Sequence, residues 1–144
     1  MPTITELMSK EVVTIHLDDR LSLAHNLFCK YKFHHLLVVD SKGELTGILS
    51  DRDLFKAISP NIGLASETDK DKATLNKRVH QIASRNPISL VSTSSLAAAV
   101  KRFYQHNLSC LPIVNEANKP IGIITTRDII KYLYGKITVS STTL

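Results

Sequence analysis

Residues 47–53 read Gly47-Ile48-Leu49-Ser50-Asp51-Arg52-Asp53, and 75 residues later the chain reads Gly122-Ile123-Ile124-Thr125-Thr126-Arg127-Asp128. At this offset residues 4–56 align with residues 79–131 without a gap, and 11 of the 53 pairs are identical. Random pairing at ordinary residue frequencies would give about 3 identities. The chain therefore contains an internal repeat, and a surface formed by one copy should have a counterpart in the other.

Both copies show the same order of short elements. β-Branched runs at 12–15 and 87–91 predict the first strand of each copy. Helical spacing of apolar residues after Leu21 and Leu96 predicts a helix. Continuous apolar runs at 36–39 and 111–114 predict strands buried on both faces, followed by return strands and by closing helices at 51–58 and 126–134. The pattern predicts a mixed α/β (α+β) fold of two pseudo-symmetric β-α-β-β-α repeats, each with a helical lead-in.

The alignment also predicts the domain boundaries. We expect repeats at 3–58 and 78–134, a polar linker at 59–77 and a C-terminal tail at 135–144. A capping-box pattern at 66–69 predicts a linker helix over about residues 67–83. The tail is open to two interpretations, an added strand or a frayed end. One copy alone is too short to bury a sizeable core, so the pair is the expected folding unit.

Composition narrows the class of protein. The formal charge is +5 and the pI about 9.3, but no more than two basic residues are adjacent. This pattern suits small phosphates better than nucleic acid. No apolar run approaches the length of a membrane span and the N-terminus lacks a signal-peptide pattern, so we expect a cytoplasmic protein with Cys29 and Cys110 reduced. None of the common catalytic motifs occurs, which predicts that the chain is not an enzyme.

The repeated stretch places a hydroxyl and a carboxylate where a strand gives way to a helix. Ser50 and Thr125 end the strand, and Asp53 and Asp128 follow three residues later. Such a carboxylate can accept two hydrogen bonds from the vicinal diol of a ribose. The same Ser/Thr-x-x-Asp spacing is also a plain capping box, which is the structural alternative.

Arg52 and Arg127 sit beside these carboxylates in both copies. A guanidinium can pair with a phosphate in a forked geometry, and the first turn of a helix offers free N–H groups to an anion. The recurrence of the arginine at one register favours a binding role over a purely structural one.

With these residues in view, the chain resembles a tandem pair of cystathionine-β-synthase (CBS) domains, also called a Bateman module, over about residues 3–134. The resemblance implies repeats packed sheet to sheet, with clefts between them that take adenosine-containing ligands. AMP, ADP and ATP are the expected ligands, and S-adenosylmethionine is possible. No cofactor is required. The resemblance also implies a regulatory or sensor module, a homodimer and an unknown protein partner. The alternative is a ligand-free dimerisation scaffold with vestigial clefts.

The resemblance also assigns further site residues. The backbone at Val13-Thr14 and Ile88-Ser89 is expected to contact adenine. His34-His35, just before the second strand of copy one, are expected to face phosphates. Copy two has the neutral pair Ser109-Cys110 there, so its grip on a phosphate would depend on Arg127. A metal site at His34-His35 is not favoured, because adjacent side chains point apart on extended chain and no partner pair lies at ligand spacing.

Overall fold

The computed structural model describes residues 2–142. The helices are α1 (Ile4–Leu7), α2 (Leu21–Lys30), α3 (Asp51–Ala57), α4 (Asp69–Ala73), α5 (Leu96–His106) and α6 (Thr126–Thr142). The strands are β1 (Thr14–His16), β2 (His35–Val39), β3 (Leu45–Ser50), β4 (Ser84–Arg85), β5 (Leu90–Val91), β6 (Cys110–Val114) and β7 (Pro120–Thr125). Two short 3₁₀ turns cover Thr74–Asn76 and Val79–Gln81. The predicted mixed α/β fold with two sheets is confirmed.

The first compact unit comprises Val13–Pro87. Its sheet has the order β1-β2-β3-β4, with β1 parallel to β2 and the other pairs antiparallel. All residues of β2 after His35 are buried, as expected for the strand between β1 and β3. Strand β3 alternates buried and half-buried residues, the pattern of a strand with one face on the core. The core is formed by Ile15, Leu21, Ala24, Leu36, Val38, Leu49, Leu54 and Val79.

The second compact unit joins the described residues up to Val12 to those from Ile88 onward. Its sheet has the order β5-β6-β7, again with one parallel and one antiparallel pair. Its core is formed by Ile4, Leu90, Ala99, Leu111, Ile113 and Ile124. Ile4 belongs to α1, so the N-terminal lead-in helps to build the core of the unit that carries the second repeat.

The two lead-ins are therefore exchanged between the repeats. Strand β4, which leads into the second repeat, pairs Ser84 with Ile48 of the first. Ser9 bridges Ile123 in the same way, with backbone N–O distances of 2.9 and 3.0 Å. These are equivalent contacts, since both pairs of positions differ by the repeat offset of 75 residues.

The glycine that opens each repeated stretch permits this contact. A Cβ on Gly47 would lie 2.7 Å from the carbonyl oxygen of Ser84. A Cβ on Gly122 would collide with the sulfur of Met8 and lie 3.0 Å from the carbonyl oxygen of Ser9. Both glycines are buried, so only a residue without a side chain lets the lead-in backbone approach this closely.

The predicted linker helix over 67–83 is wrong in extent. Helix α4 ends at Ala73, and the backbone is extended at Lys77 and Arg78. There the chain bonds to the loop before α2: Leu21 N–H donates to the Lys77 carbonyl at 2.8 Å, and Val79 N–H donates to the Asp19 carbonyl at 2.8 Å. These tertiary hydrogen bonds replace helical ones and override the local propensity.

The C-terminal tail is helical as far as it is described, so the added strand, one of its two interpretations, is wrong for residues 135–142. Helix α6 continues from Thr126 to Thr142 instead of ending near residue 134. Extending an existing helix requires no new nucleus, which favours this outcome despite the β-branched run at 137–139. The ammonium of Lys136 also lies 5.7 Å from the ring centroid of Tyr132, one turn earlier. Residues 143 and 144 lie outside the described part of the chain.

Candidate functional site

In the first unit, three strand ends meet at one edge of the sheet. Antiparallel pairing places His35, the first residue of β2, opposite Ser50, the last residue of β3. Parallel pairing places Thr14 opposite Leu37, and Leu37 N–H donates to the Val13 carbonyl at 3.1 Å. Thr14 is exposed, and Val13 lies just before β1 rather than in it. We call this group the first half-site: Val13, Thr14, His34, His35, Ser50, Asp51, Arg52 and Asp53.

Ser50 and Asp53 hold each other in the first turn of α3. The hydroxyl oxygen of Ser50 accepts a hydrogen bond from Asp53 N–H at 3.0 Å, and the Asp53 carboxylate accepts one from Ser50 N–H at 3.4 Å. The structural alternative, a capping box, is therefore present. It does not exhaust the carboxylate, because an ionised Asp has about four acceptor positions. The cap fixes the Asp53 side chain at the edge of the sheet, as a ribose-binding group would require.

Asp51 is the polar residue of this half-site that the sequence analysis missed. Its carboxylate oxygen lies 2.8 Å from the Nδ1 atom of His34, and its N–H donates to the His34 carbonyl at 3.0 Å. The sequence carried a signal for this pair: once His35 is opposite Ser50, the antiparallel register brings His34 next to Asp51.

His35 has a different environment from His34. The side chain of His34 is 79% exposed, whereas His35 is half-buried. Burial lowers the pKa of His35 below its usual value; the nearby Asp51 charge opposes this shift, and His34 adds to it. At neutral pH, therefore, His35 is a neutral imidazole with one N–H donor and one acceptor nitrogen.

The second half-site lies at the equivalent edge of the second unit: Ile88, Ser89, Ser109, Cys110, Thr125, Arg127 and Asp128. Cys110 is opposite Thr125, as His35 is opposite Ser50. The Asp128 carboxylate accepts hydrogen bonds from Thr125 N–H at 2.9 Å and from the Thr125 hydroxyl at 3.2 Å. Ile88 and Ser89 precede β5 and are half-buried. The hydroxyl–carboxylate arrangement is thus preserved in both repeats.

The residues before β6 make the second half-site less polar than the first. Cys110 is buried, and burial, together with the charge of Asp128, raises the pKa of its thiol to about 12. Thr126 N–H donates to the Ser109 carbonyl at 3.2 Å, in the place where Asp51 bonds to His34. No imidazole or carboxylate stands at these three positions of the second repeat.

Both arginines of the repeated stretch are exposed. Arg52 and Arg127 each lie in the first turn of a closing helix. Within residues 2–142, neither forms an ion pair with a carboxylate. Their guanidinium groups therefore retain their donors for an anion from solution.

The second unit also contains a cavity of 460 Å³ between α1 and α6. Asp128 lines it, so the cavity adjoins the second half-site. Glu6 from α1 and the lysines of α6, Lys131 and Lys136, contribute the other charges. Two acidic and two basic side chains thus line the cavity, together with the ring of Tyr132.

Between Pro2 and Thr142, no group of three or more His, Cys, Asp or Glu side chains is arranged to hold a metal ion. Among the helices described, none combines the length and the apolar character needed to cross a bilayer.

The repeats match a known family. The model of the CBS domain matches residues 4–60 and again residues 79–135. The chain belongs to the CBS domain family. It is 34% identical over 131 residues to a CBS domain-containing protein of Dictyostelium discoideum, and the match covers 90% of both chains. Enzymes among its relatives are longer: the chain is 30% identical to an L-aspartate semialdehyde sulfurtransferase of Methanosarcina acetivorans but spans only 24% of that protein.

Solved structures of CBS proteins share the fold. Protein MJ1225 of Methanocaldococcus jannaschii superposes with a TM-score of 0.78 at 26% identity, covering 94% of this chain and 51% of that one. The CBS domain pair of protein MJ0100 superposes with a TM-score of 0.76 at 25% identity, covering 94% and 98%. That pair was solved in complex with 5′-methylthioadenosine and S-adenosyl-L-methionine.

Proposed function

We propose that the chain is a regulatory module that binds adenosine-containing ligands of the AMP, ADP and ATP class, with S-adenosylmethionine as a further candidate. The observation that carries the proposal is a carboxylate, Asp53 or Asp128, that in both repeats accepts a hydrogen bond from the backbone N–H of the Ser or Thr that ends the strand. The adenosyl ligands of the similar MJ0100 pair support the ligand class.

The proposed mechanism is a shift in population between conformations. A ligand held by the Asp53 or Asp128 carboxylate stabilises the conformation that binds it more tightly, and a partner protein responds to the change. The ligand supplies only its differential affinity for the two conformations, so the module needs no chemical step. We therefore propose a non-enzymatic role, with nucleic acid not among the partners. Two free thiols, Cys29 and Cys110, fit the reducing cytoplasm.

A second candidate is a dimerisation scaffold, which exposed apolar residues on the closing helices favour. Phe55 is 61% exposed, Ile130 63% and Leu133 50%. Leu54, Ile58 and Ile129 pack in or against the cores and do not belong to this surface. Homodimerisation through the exposed residues is compatible with ligand binding, so the scaffold becomes a rival only if no ligand binds.

Isothermal titration of the full chain with AMP, ADP, ATP and S-adenosylmethionine tests the proposal. We expect binding of at least one ligand, weakened about 10-fold or more by Asp53→Ala or Asp128→Ala because a diol loses its charged acceptor. Asp18→Ala is the matched control, since it removes an exposed carboxylate that lies outside both half-sites. Absence of binding by all four ligands to folded protein would refute the sensor role and favour the scaffold.

A further inference from the structure

We infer that the two half-sites take different classes of adenosine ligand. The first takes a 5′-phosphorylated adenosine, and the second takes an adenosine whose 5′ substituent is uncharged or zwitterionic. The inference rests on the proposed function, because it assigns a ligand class to each site proposed there. It follows from the positions at which the two half-sites differ.

Most of the two half-sites is the same and cannot discriminate between ligands. Each has a hydroxyl that caps the closing helix, a carboxylate bonded to that hydroxyl residue, and an exposed arginine between them. A lysine follows the carboxylate by three residues in both repeats, Lys56 in one and Lys131 in the other. A difference in ligand preference must therefore come from the dipeptide at the start of the central strand, His34-His35 in one repeat and Ser109-Cys110 in the other, and from the residues around it.

In the first half-site that dipeptide offers two imidazoles. The Nδ1 atom of His34 is held by Asp51 at 2.8 Å, which fixes the ring and leaves Nε2 to face solvent or a ligand. His35 starts β2 and is half-buried beside Ser50. The charged groups around His35 are His34 on the same segment and Asp51, Arg52 and Asp53 on α3. A phosphate arriving here would meet imidazole N–H donors, and its charge would favour protonation of the His35 ring.

In the second half-site the dipeptide offers no such donors. Cys110 is 6% exposed and its thiol stays protonated, and the Asp128 charge is close enough to contribute to that. A phosphate placed there would lose water without gaining a strong donor from the dipeptide. The adjoining cavity is lined by two acidic side chains, Glu6 and Asp128, and by two basic ones, Lys131 and Lys136, so its formal charges cancel. Balanced charge suits a neutral thioether or an aminoacyl group carrying both an ammonium and a carboxylate.

Titrations of the full chain with AMP and with 5′-methylthioadenosine separate the two half-sites. We expect Asp53→Asn to weaken the binding of AMP about 10-fold or more and to change the binding of 5′-methylthioadenosine little. Asp128→Asn should weaken the binding of 5′-methylthioadenosine by a similar factor and change the binding of AMP little. Tyr104→Ser is the control, because Tyr104 is 89% exposed and lies on α5, outside both half-sites. Loss of both ligands in the same variant, or equal losses in both variants, would overturn the inference while leaving the proposed function intact.

Replacing His34-His35 by the Ser-Cys dipeptide of the second repeat tests whether the imidazoles are the cause of the preference for a phosphate. The double variant His34→Ser/His35→Cys gives the first repeat the dipeptide of the second. It should weaken the binding of AMP about 10-fold or more. Wild-type affinity for AMP should rise as the pH is lowered, because a bound phosphate favours the protonated form of the His35 ring, and this rise should vanish in the variant. His34→Asn alone provides the test if the double variant does not melt cooperatively. Unchanged affinity for AMP in a folded variant would contradict the assignment of AMP to the first half-site. If neither ligand binds to the wild-type protein, the proposed function is refuted instead.

Discussion

The Nδ1 atom of His34 and a carboxylate oxygen of Asp51 lie 2.8 Å apart, joining the start of β2 to the first turn of α3. The second repeat has Ser109 and Thr126 at these positions, so the pair is a property of one repeat only. Because His34 is mostly exposed, the pair contributes little to stability. Its consequence lies in the neighbouring residue His35, whose protonation it influences.

Because of His35, the free energy of unfolding should decrease as the pH is lowered. Burial lowers the folded-state pKa of His35 below the unfolded value of 6.5, so between these two values the unfolded chain binds more protons than the folded one. The free energy of unfolding must then decrease as the pH drops through and below about 6.5. Denaturant melts between about pH 5 and pH 7 should show a steeper slope for wild type than for His35→Gln, which cannot titrate.

Asp51→Asn provides the companion measurement. The Asp51 charge raises the pKa of His35 against the effect of burial, so its removal should lower that pKa further. An NMR titration of the His35 ring measures this directly, and Asp18→Asn, an exposed change outside the half-site, is the control. An upward movement of the His35 pKa in Asp51→Asn would show that the described environment is wrong.

The glycines of the repeated stretch should be required for stability. Gly47→Ala places a Cβ 2.7 Å from the Ser84 carbonyl, and Gly122→Ala places one against the Met8 side chain. Each should lower the free energy of unfolding by about 1–3 kcal/mol. The backbone carbonyl of Ser84 can move away less easily than the flexible side chain of Met8, so Gly47→Ala should lower the free energy of unfolding more than Gly122→Ala. Met8→Ala should partly restore the stability of Gly122→Ala. Double-mutant analysis of chemical denaturation measures both effects.

Gly135→Ala is the matched control for these glycines. It lies within α6, and a Cβ there meets nothing within 4 Å. Alanine in an exposed helix should raise the free energy of unfolding by about 0.5–1 kcal/mol. A loss of stability at Gly135 comparable to that at Gly47 would mean that close backbone approach is not the cause.

Much of the fold was predictable because its patterns are local. The repeated apolar runs predicted the central and return strands, and the Ser/Thr-x-x-Asp spacing predicted the turns that hold Asp53 and Asp128. The exchange of lead-ins was not predictable, because Ser9 and Ser84 are equivalent in sequence and nothing local states which sheet each joins. The linker helix failed for a similar reason, since the bonds that extend Lys77 and Arg78 come from a distant loop.

The two cysteines should differ sharply in reactivity. Cys29 is exposed, whereas Cys110 is buried and the pKa of its thiol is raised to about 12. Only a thiolate attacks an alkylating or disulfide reagent. Native protein should therefore release one equivalent of thionitrobenzoate from Ellman's reagent at pH 8, and unfolded protein two. Rapid labelling of Cys110 in native Cys29→Ser protein would contradict the burial of Cys110.

Helix α6 carries an exposed apolar face whose function as a dimer contact can be tested. Ile130, Leu133 and Tyr134 are 63%, 50% and 67% exposed, and their spacing places them on one side of the helix. A monomer rarely leaves such residues clustered in water without a partner. We expect light scattering at micromolar concentration to give about twice the 16.0 kDa mass of one chain.

Charged substitutions on this face should dissociate the expected dimer without unfolding the chain. Ile130→Lys or Leu133→Lys places an ammonium where two apolar faces meet, and should weaken dimerisation about 100-fold or more. Neither residue contributes to the buried core, so the thermal melt of the dilute protein should change little. Leu64→Lys is the matched control, since Leu64 is 57% exposed in the linker between the repeats. If the wild-type chain is monomeric, or if Leu64→Lys disrupts the dimer as strongly as Ile130→Lys, then α6 is not the contact between copies.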